Sequence, residues 1–268
     1  MIYKNCGRKN PKVVEILDNE KPKKVLIVFW HGIGDLLMFY PIFKKLKKLY
    51  DYEFTLGLIP GVGHSDLVEG VEIPEEDFLK NHDMAFVISF HMVEGLNKNI
   101  TKAEWCAQQE IGLETFNSFL PSIPKKKNKL VGVHFQGTCL PGSTNPDEAT
   151  AKQIWFDLVD AGYIPIDLHF KHVFHNPVNK RYDWQQRSCR DIKPSLNTLT
   201  MLIQQCFAVV AVASGPFVIS LCNNPNNTIY LKKRHKIECY TKNFNNVVDL
   251  ENYNKQDLLS LLNNMEDK

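Results

Sequence analysis

Three short loops carry the residue types that bind phosphate or move a proton. The first, His31-Gly32-Ile33-Gly34-Asp35, follows an apolar run and opens an amphipathic one. Its glycines permit tight backbone geometry, and Asp35 stands either as a general base or as the cap of the helix that follows. The G-x-G-D pattern lacks the third glycine of a dinucleotide fingerprint. The second loop runs from Gln136 to Thr144 and sets Gly137 beside the hydroxyls of Thr138, Ser143 and Thr144. Backbone N–H groups and hydroxyls of this kind hold phosphate, although a plain flexible loop has the same composition. The third is Ala213-Ser214-Gly215-Pro216, with Pro expected at the first helical position. A helix N-terminus approached through glycine is a ready anion site, and equally a well-capped structural turn. His169, His172 and His175 recur at every third position. They have no carboxylates in register, so a structural or surface role is the better reading and no metal site is assigned.

The elements that must position these loops alternate. Val25 to Trp30 is a continuous apolar run, as in a strand buried on both faces. Asp35 to about Tyr50 has helical spacing, with Pro41 marking a kink or restart. Tyr52–Ile59 and Met84–Phe90 read as strands. Pro121–Lys129 is rich in Pro and Lys and reads as a linker. The pattern then begins again: strand Leu130–Phe135, helix Asp147–Ala161, strand Tyr163–Leu168, helix Thr198–Gln205, strand Phe207–Ala213, helix Pro216–Cys222, strand Thr228–Leu231 and helix Lys255–Asn264. Strand and helix in alternation imply parallel sheets with right-handed crossovers. We expect two α/β domains of Rossmann type facing a cleft, residues 1–124 and residues 125–268. The last helix is a candidate to pack back on the first domain.

A chain of 268 residues suits two such domains, and 44% hydrophobic with 23% charged residues is ordinary for a core-forming protein. A formal charge of +2 gives no whole-molecule field that would select a partner. Local runs do exist at Lys44, Lys45, Lys47 and Lys48, at Lys125–Lys127, and at Lys232, Lys233, Arg234 and Lys236. They read as solvated faces or as contacts to a polyanion. The seven cysteines are scattered, without zinc or dithiol spacing, and Cys206 and Cys222 lie in apolar context. A reducing, cytoplasmic setting is the expectation. No secretory h-region or transmembrane stretch is apparent.

Taken in order, Lys24–Lys48, Lys129–Gly162, Ser195–Ile203 and Val209–Cys222 resemble the heptosyltransferases, glycosyltransferase family 9, over about half the chain. The resemblance implies a GT-B fold and a cytoplasmic enzyme that inverts configuration while moving a sugar from a nucleotide-diphosphate sugar to an acceptor hydroxyl. It implies Asp35 as the base, with His31, Gly32 and Gly34 on the acceptor side. It places the donor diphosphate against Gly137, Thr138, Ser214, Gly215 and Pro216, with no compulsory metal or cofactor. The chain departs from the family pattern at Ala213, where the family has Asp, and at Val218 and Ile219, where a His is common. It also lacks the family's Lys between Gln136 and Asn145. The acceptor is a carbohydrate by family precedent. A DNA base carrying a hydroxymethyl group is the alternative raised by the Lys44–Lys48 run. An inactive sugar-nucleotide or polyanion-binding protein is the alternative raised by Ala213 and the absent Lys.

Overall fold

The computed structural model describes residues 1–61, 64–90, 100–113, 128–137, 141–169, 182–185, 195–234, 240–241 and 244–266. The chain divides into two compact units, Met1–Phe119 with Glu238–Lys242, and Leu120–Ile237 with Asn243–Lys268. The Pro/Lys-rich stretch expected as a linker lies almost wholly outside the described residues.

In the first unit, β1 (Ile2–Lys4), β2 (Lys24–Val28), β3 (Glu53–Leu58), β4 (Val71–Glu72) and β5 (Met84–Val87) form a parallel sheet in the order β1-β5-β2-β3-β4. The central strand β2 is continuous and apolar because both its faces are covered; Val25 to Val28 are fully buried. Helix α1 (Val13–Glu20) precedes it and buries Val13, Ile16 and Leu17. Helix α2 (Ile33–Leu49) follows it and buries seven side chains from Ile33 to Leu46. It runs as one helix through Pro41, so the packing of this apolar stripe outweighs the loss of one backbone bond. Helix α3 (Lys102–Trp105) continues directly into a π-helical turn, Cys106–Ile111, closed by Gly112 at φ +97°.

The second unit contains β6 (Leu130–His134), α4 (Pro141–Thr144), α5 (Glu148–Asp160), β7 (Ile164–Asp167), α6 (Leu196–Gln205), β8 (Ala208–Ala211), α7 (Gly215–Asn223), β9 (Thr228–Lys232), β10 (Val247–Asp249) and α8 (Lys255–Glu266). Its sheet is parallel in the order β10-β9-β8-β6-β7. Helix α8 buries Leu258, Leu262 and Met265 in this unit's own core. Tyr253 Oη donates to Asp157 at 2.8 Å, and the Lys255 ammonium lies 3.3 Å from the same buried carboxylate. The apolar stripe of α8 is therefore satisfied within its own unit's core.

Both sheets reverse direction once. The chain leaves β2 toward β3 and later returns to the other side as β5; it leaves β6 toward β7 and returns as β8. The crevice past the carboxyl ends at such a reversal is where open parallel sheets bind ligands. All three loops singled out in the sequence end there, two of them in the second unit.

Candidate functional site

In the first unit the loop Phe29–Gly32 leads from β2 into α2. Gly32 is the N-cap, with no side-chain cap bond, and Asp35 falls on the third residue of the helix. Asp35 is thus not the cap of α2. Its Oδ1 instead accepts from Lys102 Nζ at 2.8 Å, a pair 67 positions apart in sequence. The two side chains are 17% (Lys102) and 25% (Asp35) exposed, partly withdrawn from water. His31 Nε2 donates to the Ile88 carbonyl at 3.0 Å, tying the loop after β2 to the one after β5 across the reversal. A Cβ on Gly32 would meet nothing within 4 Å, so the described residues leave open room beside the helix start.

Under this loop lies an aromatic cluster. Phe29 stacks on Phe39 with centroids 4.3 Å apart and meets Phe90 edge-on at 5.2 Å. Phe90 is fully buried at φ +48°, a left-handed conformation that bulky residues avoid. Its backbone N–H donates to Glu110 Oε2 at 3.2 Å. Glu110 is 2% exposed, and burial raises its pKa above the usual carboxylate value, opposed by the Phe90 N–H, the Cys106 thiol and Arg8. Neither Lys102 nor Glu110 was among the residues expected from sequence. The one local cue is the Thr101-Lys102-Ala103-Glu104 capping box that starts α3; the contacts to Asp35 and Phe90 join segments far apart in the chain and leave no trace in local spacing.

In the second unit the loops after β6 and β8 meet. A Cβ on Gly137 would lie 2.3 Å from the Ala213 carbonyl oxygen, so only glycine permits the backbones to approach this closely. Asn145 clamps Gly137 from the other side, its Oδ1 accepting from Gly137 N at 2.7 Å and its Nδ2 donating to Gly137 O at 3.2 Å. Ser214 is the N-cap of α7, its Oγ accepting from Phe217 N at 3.4 Å. The helix starts at Gly215, which moves Pro216 to the second helical position rather than the first. The change is harmless, because the first-turn N–H groups have no intrahelical partner. Thr138 lies outside the described residues.

Two basic residues at the end of β9 join this loop. Lys233 Nζ donates to the Asn145 carbonyl at 3.1 Å, and Arg234 N donates to Ser143 O at 3.0 Å. A cation therefore stands beside the Gly137 loop although the loop itself carries none. Between the ends of β6 and β7 is a shallow polar depression, too small to enclose a ligand, lined by His134, Gln136, Asp167, His169 and Tyr182 among others. His169 stacks on His134 at 6.2 Å, whereas His172 and His175 lie outside the described residues. Among the described residues no group of three or more His, Cys, Asp or Glu could hold a metal. Cys206 and Cys222 are buried as expected, and burial pushes the Cys222 thiol up to about 12.

The Lys44–Lys48 run has a different place. A helix joining two parallel strands ends at the opposite edge of the sheet from where it began. Asp35 is in the first turn of α2 and Lys47 and Lys48 in the last, about 18 Å along the axis. The run does not adjoin the Asp35 site. Lys47 pairs at 3.4 Å with exposed Glu69, and Lys44 lies over the Tyr40 ring. No described helix is long and apolar enough to cross a membrane.

No family model matches the sequence, and no curated protein matches it. Solved structures do. The glycosyltransferase TibC of enterotoxigenic E. coli H10407 is 13% identical, with 91% of this chain and 76% of that one covered at a TM-score of 0.65. E. coli ADP-heptose lps heptosyltransferase II is 15% identical, with 91% and 100% covered at a TM-score of 0.64. E. coli heptosyltransferase WaaC with ADP-2-deoxy-2-fluoro heptose is 11% identical, with 91% and 99% covered at a TM-score of 0.57. At these identities the likeness is one of fold, and it bears out the α/β, GT-B-like architecture of two parallel-sheet units: the chain has the fold of the heptosyltransferases it resembles.

Proposed function

We propose that this protein is an inverting glycosyltransferase that moves a sugar from a nucleotide-diphosphate sugar to a carbohydrate hydroxyl. The observation that carries the reading is Asp35, a carboxylate at the sheet reversal of the first unit that is released from capping duty and held by a lysine. In the reaction an Asp35 oxygen takes the acceptor hydroxyl proton while that hydroxyl oxygen bonds to the anomeric carbon. The bond from that carbon to the phosphate oxygen breaks, and its electrons leave with the nucleoside diphosphate. His31, Gly32 and Gly34 form the acceptor side. Charge developing on the leaving phosphate calls for preorganised positive groups. In the second unit these are the α7 first turn at Gly215 and Pro216, capped by Ser214, the Gly137–Thr138 loop, and Lys233. WaaC, which shares the fold, is a heptosyltransferase seen with a fluorinated ADP-heptose, and this supports a nucleotide-sugar donor. No cofactor is required by this scheme, and it is that of a cytoplasmic enzyme. The DNA-base acceptor loses its main support, since the Lys44–Lys48 run lies at the far edge of the first unit. The inactive-binder alternative loses one of its two supports, because Lys233 supplies a cation that the second loop lacks.

A panel of nucleoside diphosphates and nucleotide sugars tests the reading by melting temperature and by product formation. At least one nucleoside diphosphate should raise the melting temperature through linkage, and its sugar should be transferred or slowly hydrolysed. Failure of every member of the panel to bind would remove the proposal.

A further inference from the structure

The Lys102 ammonium has two partners, Asp35 Oδ1 at 2.8 Å and the face of the Phe90 ring, 4.6 Å from its centroid. An ammonium fixed by a carboxylate and an aromatic face has little freedom to wander. The floor beneath it is itself constrained. Phe90 is held at φ +48° without solvent contact, a conformation that persists only where the surroundings impose it. Its ring is enclosed by Phe29, Phe39 and His31, and its N–H is taken by Glu110.

Glu110 is an expensive residue to place there. It is 2% exposed, its Oε2 accepts from Phe90 N and, at 3.6 Å, from the Cys106 thiol, and its Oε1 has no hydrogen-bond partner among the described residues. Burying a carboxyl with one oxygen unsatisfied costs stability that an apolar residue would not. It sits on the π-helical turn that continues α3, so Lys102 and Glu110 belong to one uninterrupted helical segment. Such turns are frequent at functional sites. One end of this segment reaches Asp35 and the other grips the backbone of Phe90. Among the described residues, the ionisable groups facing Glu110 are Cys106 from its own segment, and Cys6 and Arg8 from the loop after β1.

We propose that Lys102 is a positioning residue for the Asp35 carboxylate, and that Glu110, through the backbone of Phe90, holds the aromatic floor on which Lys102 rests. This rests on the reading of Asp35 as the base. Lys102 touches neither substrate; it fixes where the base points and shields it from other partners. Glu110 acts one step further back.

The test is carbodiimide footprinting of carboxyl groups, read peptide by peptide by mass spectrometry, on the wild type, Lys102→Met, Glu110→Ala and Glu110→Gln. Losing one charge-assisted hydrogen bond should raise Asp35 modification in Lys102→Met by about ten-fold or more. Glu110→Ala should raise it in the same direction. Glu110→Gln should stay near wild type, because its amide oxygen still accepts from Phe90 N–H. Unchanged Asp35 labelling in Lys102→Met overturns the proposal, and a rise there but not in Glu110→Ala overturns the part assigned to Glu110. If Glu110→Ala does not fold, Phe90→Leu tests the same link by removing the aromatic face, and unchanged labelling overturns it. In turnover, Lys102→Met should lower kcat on the order of 10²-fold with donor KM unchanged, and Lys102→Arg should recover part of it. A wild type that transfers no sugar would remove the functional reading while leaving the footprinting result to judge Lys102 and Glu110.

Discussion

The two candidate sites occupy equivalent positions, past the carboxyl ends of a parallel sheet at the strand reversal, yet they are made of different materials. The first unit presents side chains: Asp35 paired with Lys102, His31 bridging two loops, and Glu110 buried beneath an aromatic floor. The second presents mainly backbone: Gly137 pressed against the Ala213 carbonyl and clamped by Asn145, and the opening turn of α7 capped by Ser214. The contrast follows from chemistry. Moving a proton requires one titratable group with its orientation controlled. Holding a diphosphate requires several N–H dipoles that need no particular side chain, only close backbone approach and a nearby cation. On the proposed function, one fold supplies both, each past the carboxyl ends of its own unit's sheet.

The contrast can be broken most directly at Asp35. Asp35→Asn should lower turnover about 10²–10⁴-fold, since an amide cannot take the acceptor proton. Nucleoside diphosphate affinity should stay near wild type, and the melting temperature should fall only modestly, because the amide oxygen still accepts from Lys102 Nζ but without the charge. A well-folded variant with normal turnover would show that the first unit's side chains do no proton transfer.

Next comes a pair of glycines. Gly137→Ala drives a Cβ into the Ala213 carbonyl, a backbone atom that cannot swing away, and should cost about 1–3 kcal/mol or more by denaturant unfolding, with loss of nucleotide binding. Gly32→Ala, whose Cβ meets nothing within 4 Å, should cost less, about 0.5–1 kcal/mol, through the poorer N-cap of α2 alone. Equal effects at the two positions would erase the distinction between a backbone-built and a side-chain-built site.

A pH series sharpens the first unit's side. Burial raises the pKa of Glu110 in the folded protein, so the folded state binds its proton more tightly than the unfolded chain does. The stability cost of ionising it is absent below the unfolded carboxyl pKa of about 4.3 and grows as pH rises toward the folded value. Glu110→Gln removes this dependence while keeping the acceptor for Phe90 N–H. Its stability relative to wild type should therefore improve as pH climbs through that window. A flat difference would mean that Glu110 is not a strained buried acid.

The smallest effect belongs to the basic run. Neutralising Lys44, Lys45, Lys47 and Lys48 together should leave turnover and nucleotide binding unchanged. At the exposed positions Lys44, Lys47 and Lys48, stability should move only by tenths of a kcal/mol each. A steep loss of acceptor affinity, with a flatter salt dependence, would return a nucleic-acid acceptor to consideration.

Much of this protein is legible in its sequence because the relevant signals are local. Strand β2 announces itself as an unbroken apolar run, and α2, α5 and α8 by helical spacing. The Ser214-Gly215-Pro216 turn carries its own capping chemistry. The three loops could be named as candidate sites for the same reason. Elements without such a signal were missed: β1 is three residues with one half-buried, and β10 is three residues that earn their place only by pairing with β9. What the tertiary structure decided were the meetings between distant segments. Whether Asp35 caps its helix or meets an ammonium depends on Lys102, which strand order and not sequence spacing brings near. Gly137 is obligatory because Ala213 arrives from β8, and Lys233 reaches that loop because β9 lies beside β8. The place of the Lys44–Lys48 run, at the far edge from Asp35, follows from the antiparallel return of a crossover helix. Periodicity reports which face of an element is buried; it carries no record of which strand becomes its neighbour, and in a parallel sheet that neighbour always comes from elsewhere in the chain.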